Sequence, residues 1–190
     1  MSDKPKFPRE VALQVAKELC DLLKPACLPD RLKVCGSLRR KREYVSDVEI
    51  VYVSESFRER TGLFDGDSTD TFAVDAVFDR LLAKGIIEKR ENSRGAVTWG
   101  PKNKLGRHVA SGVPVDFFAA TEGNWWNLVV CRTGSAENNI RIAAAAQQKG
   151  LKWHPYGNGF TDDRGREMPV TSEEDVFRVV GHHYLQPNER

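Results

Sequence analysis

Two carboxylates interrupt an apolar stretch that has the composition of a buried β-strand. Asp47 and Glu49 alternate with valine and isoleucine in the run SDVEIVYV. Residues two apart on a strand point to the same side and lie about 6.5 Å apart, so both acids would crown one face. Asp116 is a third acid in an apolar run, VPVDFF. If the two runs pair as neighbouring strands, roughly 4.8 Å apart, three carboxylates converge.

Three converging carboxylates repel one another, which raises their pKa values and destabilises the fold unless cations bind. Two Mg²⁺ ions held about 3.5–4 Å apart would neutralise them and would suit in-line phosphoryl transfer. Mn²⁺ is the expected substitute for Mg²⁺. The alternative is that Asp47 and Glu49 are ordinary outward-facing acids of an edge strand.

A Gly-Ser pair ahead of the acids has the properties of a phosphate-binding turn. Gly36 lets the backbone approach a phosphate closely, and Ser37 supplies a hydroxyl and an amide at the start of a helix, where anions are favoured. Six Lys or Arg residues against one acid lie between Asp30 and Arg42, and a second basic region spans 89–107. Charge runs are often solvated faces, and phosphate contact becomes the better interpretation only beside other phosphate-binding features.

The composition is that of an ordinary globular protein. The chain has 190 residues, a hydrophobic fraction of 40% and a formal net charge of +2. No apolar run approaches the ~20 residues that span a bilayer, and residues 1–10 are too polar for a secretory signal. We therefore expect a cytoplasmic monomer with no membrane partner. The four cysteines lack paired spacing, which favours reduced thiols.

Hydrophobic periodicity predicts the elements that must position these residues. Helices are expected over 9–24, 74–82, 125–132 and 136–149, with a last helix that begins after the capping residue Ser172. Strands are expected at 32–35, 48–53, 86–90, 96–99 and 113–119, with a polar loop at 54–71. Residues 151–160, followed by a turn at Asp163–Gly165, suggest a small hairpin. The composition changes near residue 120, where we place a domain boundary.

Three longer motifs resemble those of family X DNA polymerases. GSLRR followed by SDVEIV is similar to the palm signature of that family, and RTGSAENNIRIAAAAQQKGLKWHPYGNGF resembles its thumb. SEEDVFRVVGHHYLQPNER is similar to the segment that closes the family's chains. The match extends from about Phe7 to Arg190. The sequence therefore resembles the polymerase beta-like nucleotidyltransferase superfamily over almost all of its length.

The resemblance implies an α+β fold with two domains. Residues 1–120 would form a nucleotidyltransferase palm, which is a mixed β-sheet with flanking helices, and residues 121–190 a small α/β thumb. We expect a minimal palm-plus-thumb form, without the family's lyase domain or helix-hairpin-helix clamp, as in small viral polymerases. Such a protein should grip DNA weakly and with strong salt dependence.

The resemblance also implies roles for the acids and for the Gly-Ser segment. Asp47, Glu49 and Asp116 would be the catalytic residues and metal ligands. Asp116 would lie nearest the primer 3′-hydroxyl as its proton acceptor. The residues that hold the phosphates of the incoming nucleotide would be Gly36, Ser37 and Arg40.

Further roles fall on the thumb-like region and on the basic segments. Gly134 and Ser135 would lie beside the incoming sugar, and Asn139 would touch the base edge. A solvated helix face is the alternative for both Asn139 and Arg141. The remaining DNA or triphosphate contacts would be Arg39, Lys102, Lys104, Arg107, Arg132 and Arg141.

Three positions depart from the family pattern. Glu49 stands where family X palms usually carry Asp, which loosens the expected metal geometry by one methylene. Cys131 and Arg132 stand where a Tyr-Phe pair commonly helps to exclude ribonucleotides, so we expect weaker discrimination between sugars. Pro114 occupies a position that is commonly basic, two residues before the third acid.

The expected function is template-directed, gap-filling DNA synthesis in repair, with primer–template or gapped DNA and dNTPs as substrates and NTPs as an alternative. A nucleotidyltransferase that acts on RNA, protein or a small molecule is a second hypothesis, which Cys131 and Arg132 keep open. A non-catalytic nucleic-acid-binding module is a third. The three acids argue against it, because a binder gains nothing from buried, mutually repelling carboxylates.

Overall fold

The computed structural model describes residues 5–60 and 68–190, in which helices flank a mixed β-sheet. The α-helices are α1 (Arg9–Leu23), α2 (Gly36–Arg39), α3 (Ala73–Ala83), α4 (Trp125–Thr133), α5 (Ala136–Gln148) and α6 (Glu173–Val179). Short 3₁₀ helices span Lys24–Ala26 and Pro187–Glu189. The strands are β1 (Phe7–Pro8), β2 (Cys27–Val34), β3 (Tyr44–Val45), β4 (Val48–Ser54), β5 (Ser56–Arg60), β6 (Ser68–Phe72), β7 (Ile87–Lys89), β8 (Asn103–His108), β9 (Pro114–Ala119), β10 (Lys152–His154), β11 (Gly159–Thr161) and β12 (Glu167–Pro169).

The central sheet has five strands in the order β2-β4-β9-β8-β7. β4 and β9 run parallel, and the other neighbours are antiparallel. In the parallel pair Glu49 lies opposite Asp116, and Val51 lies opposite Phe118. The predicted mixed sheet with flanking helices, and with it the α+β fold class, is confirmed.

β4 is buried on both of its faces. Val48, Ile50 and Tyr52 point into a core that includes residues of α1 and α3. Val51 and Val53 point the other way and pack against α4. Because side chains alternate along a strand, Glu49 lies on the α4 side. The sequence therefore places a carboxylate beside an apolar cluster, where only a specific partner can compensate for its burial.

The carboxy-terminal part of the chain builds a second core. β10, β11 and β12 form a three-stranded antiparallel sheet, and Trp153 and Phe160 from it pack with Ile142 of α5 and Phe177 of α6. The boundary proposed near residue 120 falls between β9 and α4 and stays a prediction. Within the described residues, no helix is long and apolar enough to cross a bilayer.

Most of the predicted elements are present. The five predicted helices match α1, α3, α4, α5 and α6 to within two residues at their starts. The Ser172 hydroxyl accepts a hydrogen bond from the Asp175 amide at 3.0 Å, as a helix cap should. All four cysteines are free thiols.

The strand predictions contain three errors. The range 96–99 is not a strand but two isolated bridges, and the strand lies further on, at β8. The range 54–71 is not a continuous loop, because β5 and β6 pair as an antiparallel ladder. Asp65 and Asp67 of that segment lie outside the described residues. The hairpin with its turn at 163–165 is present as β11 and β12, but the range 151–160 is divided between β10 and β11, so the sheet has three strands.

Candidate active site

The pairing of β4 with β9 brings two of the three predicted acids together. Glu49 and Asp116 are directly opposite each other in the parallel register, and Asp47 immediately precedes β4. The side chains of Glu49 and Asp116 are only 14% and 12% exposed. The two apolar runs therefore pair as neighbouring strands, as expected from the sequence, and the roles of the acids stay a prediction.

Burial and nearby carboxylates raise the pKa values of Glu49 and Asp116. Burial raises the pKa of Glu49 to about 7, against the opposing effect of Arg132 and with further increases from Asp47 and Asp116. Burial likewise raises the pKa of Asp116, against the lowering effect of Arg90, and Asp47 adds to the increase. Both Glu49 and Asp116 therefore have raised pKa values, to which the charge of Asp47 contributes.

Each buried acid has an arginine partner. Arg132 of α4 donates from Nη2 to Glu49 Oε1. Arg90, the residue after β7, donates from Nη2 to Asp116 Oδ1. Arg132 Nη1 also donates to the Tyr156 hydroxyl at 3.1 Å. The positive charge that the acids require is thus supplied by two guanidinium groups in this arrangement.

Arg90 was only part of a basic region in the sequence, and its role as the partner of Asp116 comes from the sheet. Its backbone amide donates to the Leu105 carbonyl at 3.1 Å, and Leu105 lies opposite Asp116 in the β8–β9 pair. β8 therefore sets the position of both residues. Since β8 itself was not predicted, no signal in the sequence could have assigned this contact.

The carboxylate oxygens of the three predicted acids suit a hard divalent cation, although the side chains are not arranged as a coordination sphere. Three carboxylates on adjacent strands are the oxygen donors that Mg²⁺ prefers. Among residues 5–60 and 68–190, no group of three or more His, Cys, Asp or Glu side chains is arranged to hold a metal ion. Arg90 and Arg132 each bond one oxygen of Asp116 and Glu49, so a cation would compete with them for these acids.

Gly36 allows the Gly-Ser turn to lie directly against Glu49. It has φ +65°, and a Cβ atom at this position would lie 2.8 Å from Glu49 Oε2. The neighbouring Cys35 amide donates to the Glu49 carbonyl at 2.7 Å. Ser37 follows in the four-residue helix α2. The predicted phosphate-binding turn and the predicted acids are therefore in contact.

Arg40 extends from the end of α2 to the turn between α4 and α5. Its Nη1 donates to the Thr133 carbonyl, and a Cβ atom on Gly134 would lie 3.0 Å from the same nitrogen. Burial, assisted by the charge of Arg42, lowers the pKa of Arg40. The structure therefore brings Arg40 and Gly134 together, two residues that lie far apart in the sequence.

The other predicted residues of the α4–α5 turn are held by local contacts. The Ser135 hydroxyl accepts from the Asn138 amide at 3.3 Å and caps α5. Asn139 Nδ2 donates to the Cys131 carbonyl at 2.8 Å, whereas its Oδ1 is buried and lacks a partner within the described residues. Arg141 Nη2 donates to Asn138 Oδ1 at 3.0 Å. Asn139 thus keeps an acceptor free beside the turn.

Arg39 is not part of the acid site. It donates from Nη1 to the Thr133 hydroxyl at 2.7 Å and from Nη2 to Glu173 Oε1 at 2.5 Å. Arg190 binds the other Glu173 oxygen at 3.0 Å. These contacts join α2 to α6, and they give Arg39 a structural role that competes with the predicted contact to DNA or triphosphate.

The basic residues around β8 lie in different environments. Lys104 is 6% exposed, and its ammonium group is engaged by Asp75 at 3.1 Å and by the Gly100 carbonyl at 3.1 Å. Arg107 forms a half-exposed pair with Glu88 at 3.3 Å, and Lys102 is exposed. Of the three side chains, that of Lys104 is the least exposed and therefore the least available for a contact with DNA.

Comparison with known proteins confirms the resemblance that the motifs predicted. The family of the DNA polymerase beta thumb matches residues 128–190, which contain α5, the three-stranded sheet and α6. Over an alignment of 199 positions the chain is 24% identical to DNA polymerase lambda of Rattus norvegicus, with coverage of 97% of this chain and 33% of that relative. The chain therefore spans about a third of that relative's length and resembles family X DNA polymerases.

Proposed function

We propose that this protein is a template-directed DNA polymerase that adds nucleotides to a primer 3′-hydroxyl, most effectively in short gaps. The observation that carries the proposal is the parallel register that sets Glu49 opposite Asp116, with Asp47 one residue before the same strand. The similarity to DNA polymerase lambda favours DNA over other acceptors. The substrates would be gapped or primer–template DNA and dNTPs, and the protein would act as a monomer.

Asp47, Glu49 and Asp116 would hold two Mg²⁺ ions, or Mn²⁺ in their place. When bound, the ions would supply charge neutralisation of the triphosphate and a lower pKa for the attacking hydroxyl. Glu49 and Asp116 project from two paired strands of a buried sheet, and Asp47 immediately precedes one of them. The sheet therefore fixes the positions from which the carboxylates would hold the ions. Glu49 is the longest of the three acids and the one whose position Gly36 permits.

The remaining residues of the site bind and orient the nucleotide. Ser37 and Arg40, next to Gly36, would donate to the β- and γ-phosphates. A guanidinium carries five donors, so Arg40 can keep its bond to Thr133 while it binds phosphate. Asp116, nearest the primer, would accept the proton of the 3′-hydroxyl.

The α4–α5 turn would lie against the sugar and base of the incoming nucleotide. Gly134, which is in contact with Arg40, and Ser135 would line the sugar. The unpaired Oδ1 of Asn139 would accept from the base edge or through a bound water. Cys131 and Arg132 offer no aromatic ring against the sugar, so NTPs would be used more readily than in relatives with Tyr-Phe.

The test is extension of labelled primers by the whole chain with Mg²⁺. Three acceptors are compared, namely a one-nucleotide-gapped duplex, an open primer–template and an RNA primer, each with every dNTP and NTP. Templated addition of one dNTP to the gapped duplex supports the proposal. Untemplated addition, or transfer to RNA alone, would support the second hypothesis instead, and binding without extension on all acceptors would support the third.

A further inference from the structure

A small pocket lies between the start of α5 and the carboxy-terminal 3₁₀ helix. Its volume is about 180 Å³, and none of the three acids lines it. We call it the α5 pocket. Its lining residues are Ser135, Glu137, Asn138, Arg141, Leu185, Glu189 and Arg190.

Two buried donors of the α5 pocket lack partners. Asn138 Nδ2 and Arg190 Nη1 have no hydrogen-bond acceptor within the described residues, and the two residues are only 4% and 6% exposed. Their other polar atoms are fixed, because Asn138 Oδ1 accepts from Arg141 and Arg190 Nη2 donates to Glu173. Buried donors without acceptors are unfavourable, so a hydrogen-bond acceptor from outside the fold would stabilise both atoms.

Arg190 belongs to a charged cluster that contains one more cation than anions. Glu173 binds both Arg39 and Arg190, and the side chains of Arg39, Glu173 and Arg190 are 17%, 6% and 0% exposed. Although burial opposes ionisation of Glu173, its bonds to Arg39 and the charge of Arg190 lower its pKa below the ordinary value. The group therefore contains one buried cation, Arg190, one partly buried cation, Arg39, and a single anion, and an uncompensated buried charge is costly.

The acids at the rim of the pocket are engaged by other donors. Glu189 Oε2 accepts from the Gln186 amide at 2.6 Å. Glu137 is exposed, and a hydrogen bond with Ser135 lowers its pKa. Neither interaction supplies an acceptor to the two unpaired donors. The first turn of α5 adds the positive end of a thirteen-residue helix dipole.

We propose that the α5 pocket binds an oxyanion of phosphate size. Asn138 Nδ2 and Arg190 Nη1 donate hydrogen bonds to the anion. The exposed side chain of Arg141 breaks its bond to Asn138 Oδ1 and places a second guanidinium over the bound anion. Planar guanidinium groups match the geometry of phosphate oxygens. The phosphate can come from the backbone of a nucleic-acid strand or from the free ion. The site does not require nucleotidyl transfer.

The test measures phosphate binding by the whole chain. The melting temperature is followed during titration with potassium phosphate and, separately, with KCl at matched ionic strength, and a saturable rise specific to phosphate is expected. Asn138→Asp replaces the free donor with a repelling carboxylate at nearly constant volume and should weaken binding at least about tenfold. Arg141→Ala should weaken it several-fold.

Arg164→Ala is the matched control, because Arg164 is an exposed arginine on the β11–β12 turn and does not line the pocket. It should keep the affinity of the wild-type protein. A wild-type response to phosphate no larger than that to KCl would overturn the proposal. So would equal phosphate affinity of the Asn138→Asp and Arg164→Ala proteins when circular dichroism shows both to be folded.

A single-stranded oligonucleotide without terminal phosphates distinguishes the two sources. If Asn138→Asp weakens oligonucleotide binding and the oligonucleotide displaces phosphate, the pocket takes a backbone phosphate. If phosphate binds and the oligonucleotide does not compete, the pocket takes the free ion. Neither readout depends on primer extension, so loss of polymerase activity and loss of this site are separable results.

Discussion

Arg132 of α4 is bonded to Glu49 of β4, and this contact places a guanidinium on the acid that the sequence predicts to be a metal ligand. The same guanidinium lies 3.7 Å from the centroid of the Phe118 ring and donates to Tyr156. A divalent cation at Glu49 would compete with Arg132 for the carboxylate. The side chain of Arg132 should therefore control metal affinity.

Replacement of Arg132 with alanine should strengthen Mg²⁺ binding to the DNA-free protein by about tenfold, as expected for loss of one competing charge-assisted bond. Isothermal titration calorimetry of the wild-type protein and of Arg132→Ala measures the difference. Arg107→Ala is the control, because it removes an exposed arginine that pairs with Glu88. Unchanged or weaker Mg²⁺ binding in Arg132→Ala would show that Arg132 does not compete with the cation.

Gly36→Ala should destabilise the fold more than Gly85→Ala does. The two glycines have nearly equal φ angles, +65° and +64°, but a Cβ atom on Gly85 would meet nothing within 4 Å, whereas one on Gly36 would collide with Glu49. Backbone strain accounts for about 1 kcal/mol in each variant, and displacement of the Glu49 carboxylate adds about 1 kcal/mol more at Gly36. Urea unfolding measures both values, and equal losses of stability would rule out the steric conflict.

Glu173 should make the protein sensitive to acid. Its pKa in the folded state is below the ordinary 4.5, so its stabilising contribution is complete above the unfolded pKa and is lost as the pH falls through the folded pKa. Glu173→Gln leaves the buried Arg190 and the partly buried Arg39 without a carboxylate and should cost about 3–5 kcal/mol at pH 7. The difference from the wild-type protein should narrow below pH 4.5.

Chemical denaturation between pH 3 and pH 7 measures this narrowing. Glu174→Gln is the control, since it changes the neighbouring exposed acid and should behave like the wild-type protein throughout. A stability difference between Glu173→Gln and wild type that stays constant from pH 7 to pH 3 would contradict the assigned role of the carboxylate.

The sequence predicted secondary structure correctly where apolar residues recur at the spacing of a strand or a helix. β4 could be predicted together with the direction of its acids because valine, isoleucine and tyrosine alternate along it, and α1 because its apolar residues recur at helical spacing. The last helix could be located from Ser172, whose capping bond is local. These features depend on neighbours in the chain.

The features that escaped prediction depend on distant neighbours. β8, with the sequence NKLGRH, contains one aliphatic residue, Leu105, and is a strand because β7 and β9 pair with it on both sides. Arg90 reaches Asp116 across 26 positions, and Arg132 reaches Glu49 across 83. Pattern within a segment cannot identify such partners, so the arginines on the acids became evident only from the fold.

Cys131→Tyr should increase the preference for dNTPs over NTPs by about tenfold, because a larger side chain beside the sugar takes the space of the 2′-hydroxyl. The ratio of kcat/KM for dNTP and NTP on one gapped duplex measures this change. Cys20→Tyr, a substitution on α1 away from the turn, is the control. A strong preference for dNTPs already in the wild-type protein would show that another residue guards the sugar.

The central claim is that Asp47, Glu49 and Asp116 carry out nucleotidyl transfer. Single-turnover extension of a one-nucleotide-gapped duplex by the wild-type protein and by Asp116→Asn tests it most directly, with Asp163→Asn, a change in an exposed turn, as the control. Loss of the proton acceptor should slow Asp116→Asn by about 10²–10⁴-fold, while Asp163→Asn keeps the wild-type rate. Equal rates for Asp116→Asn and the wild-type protein would contradict the claim.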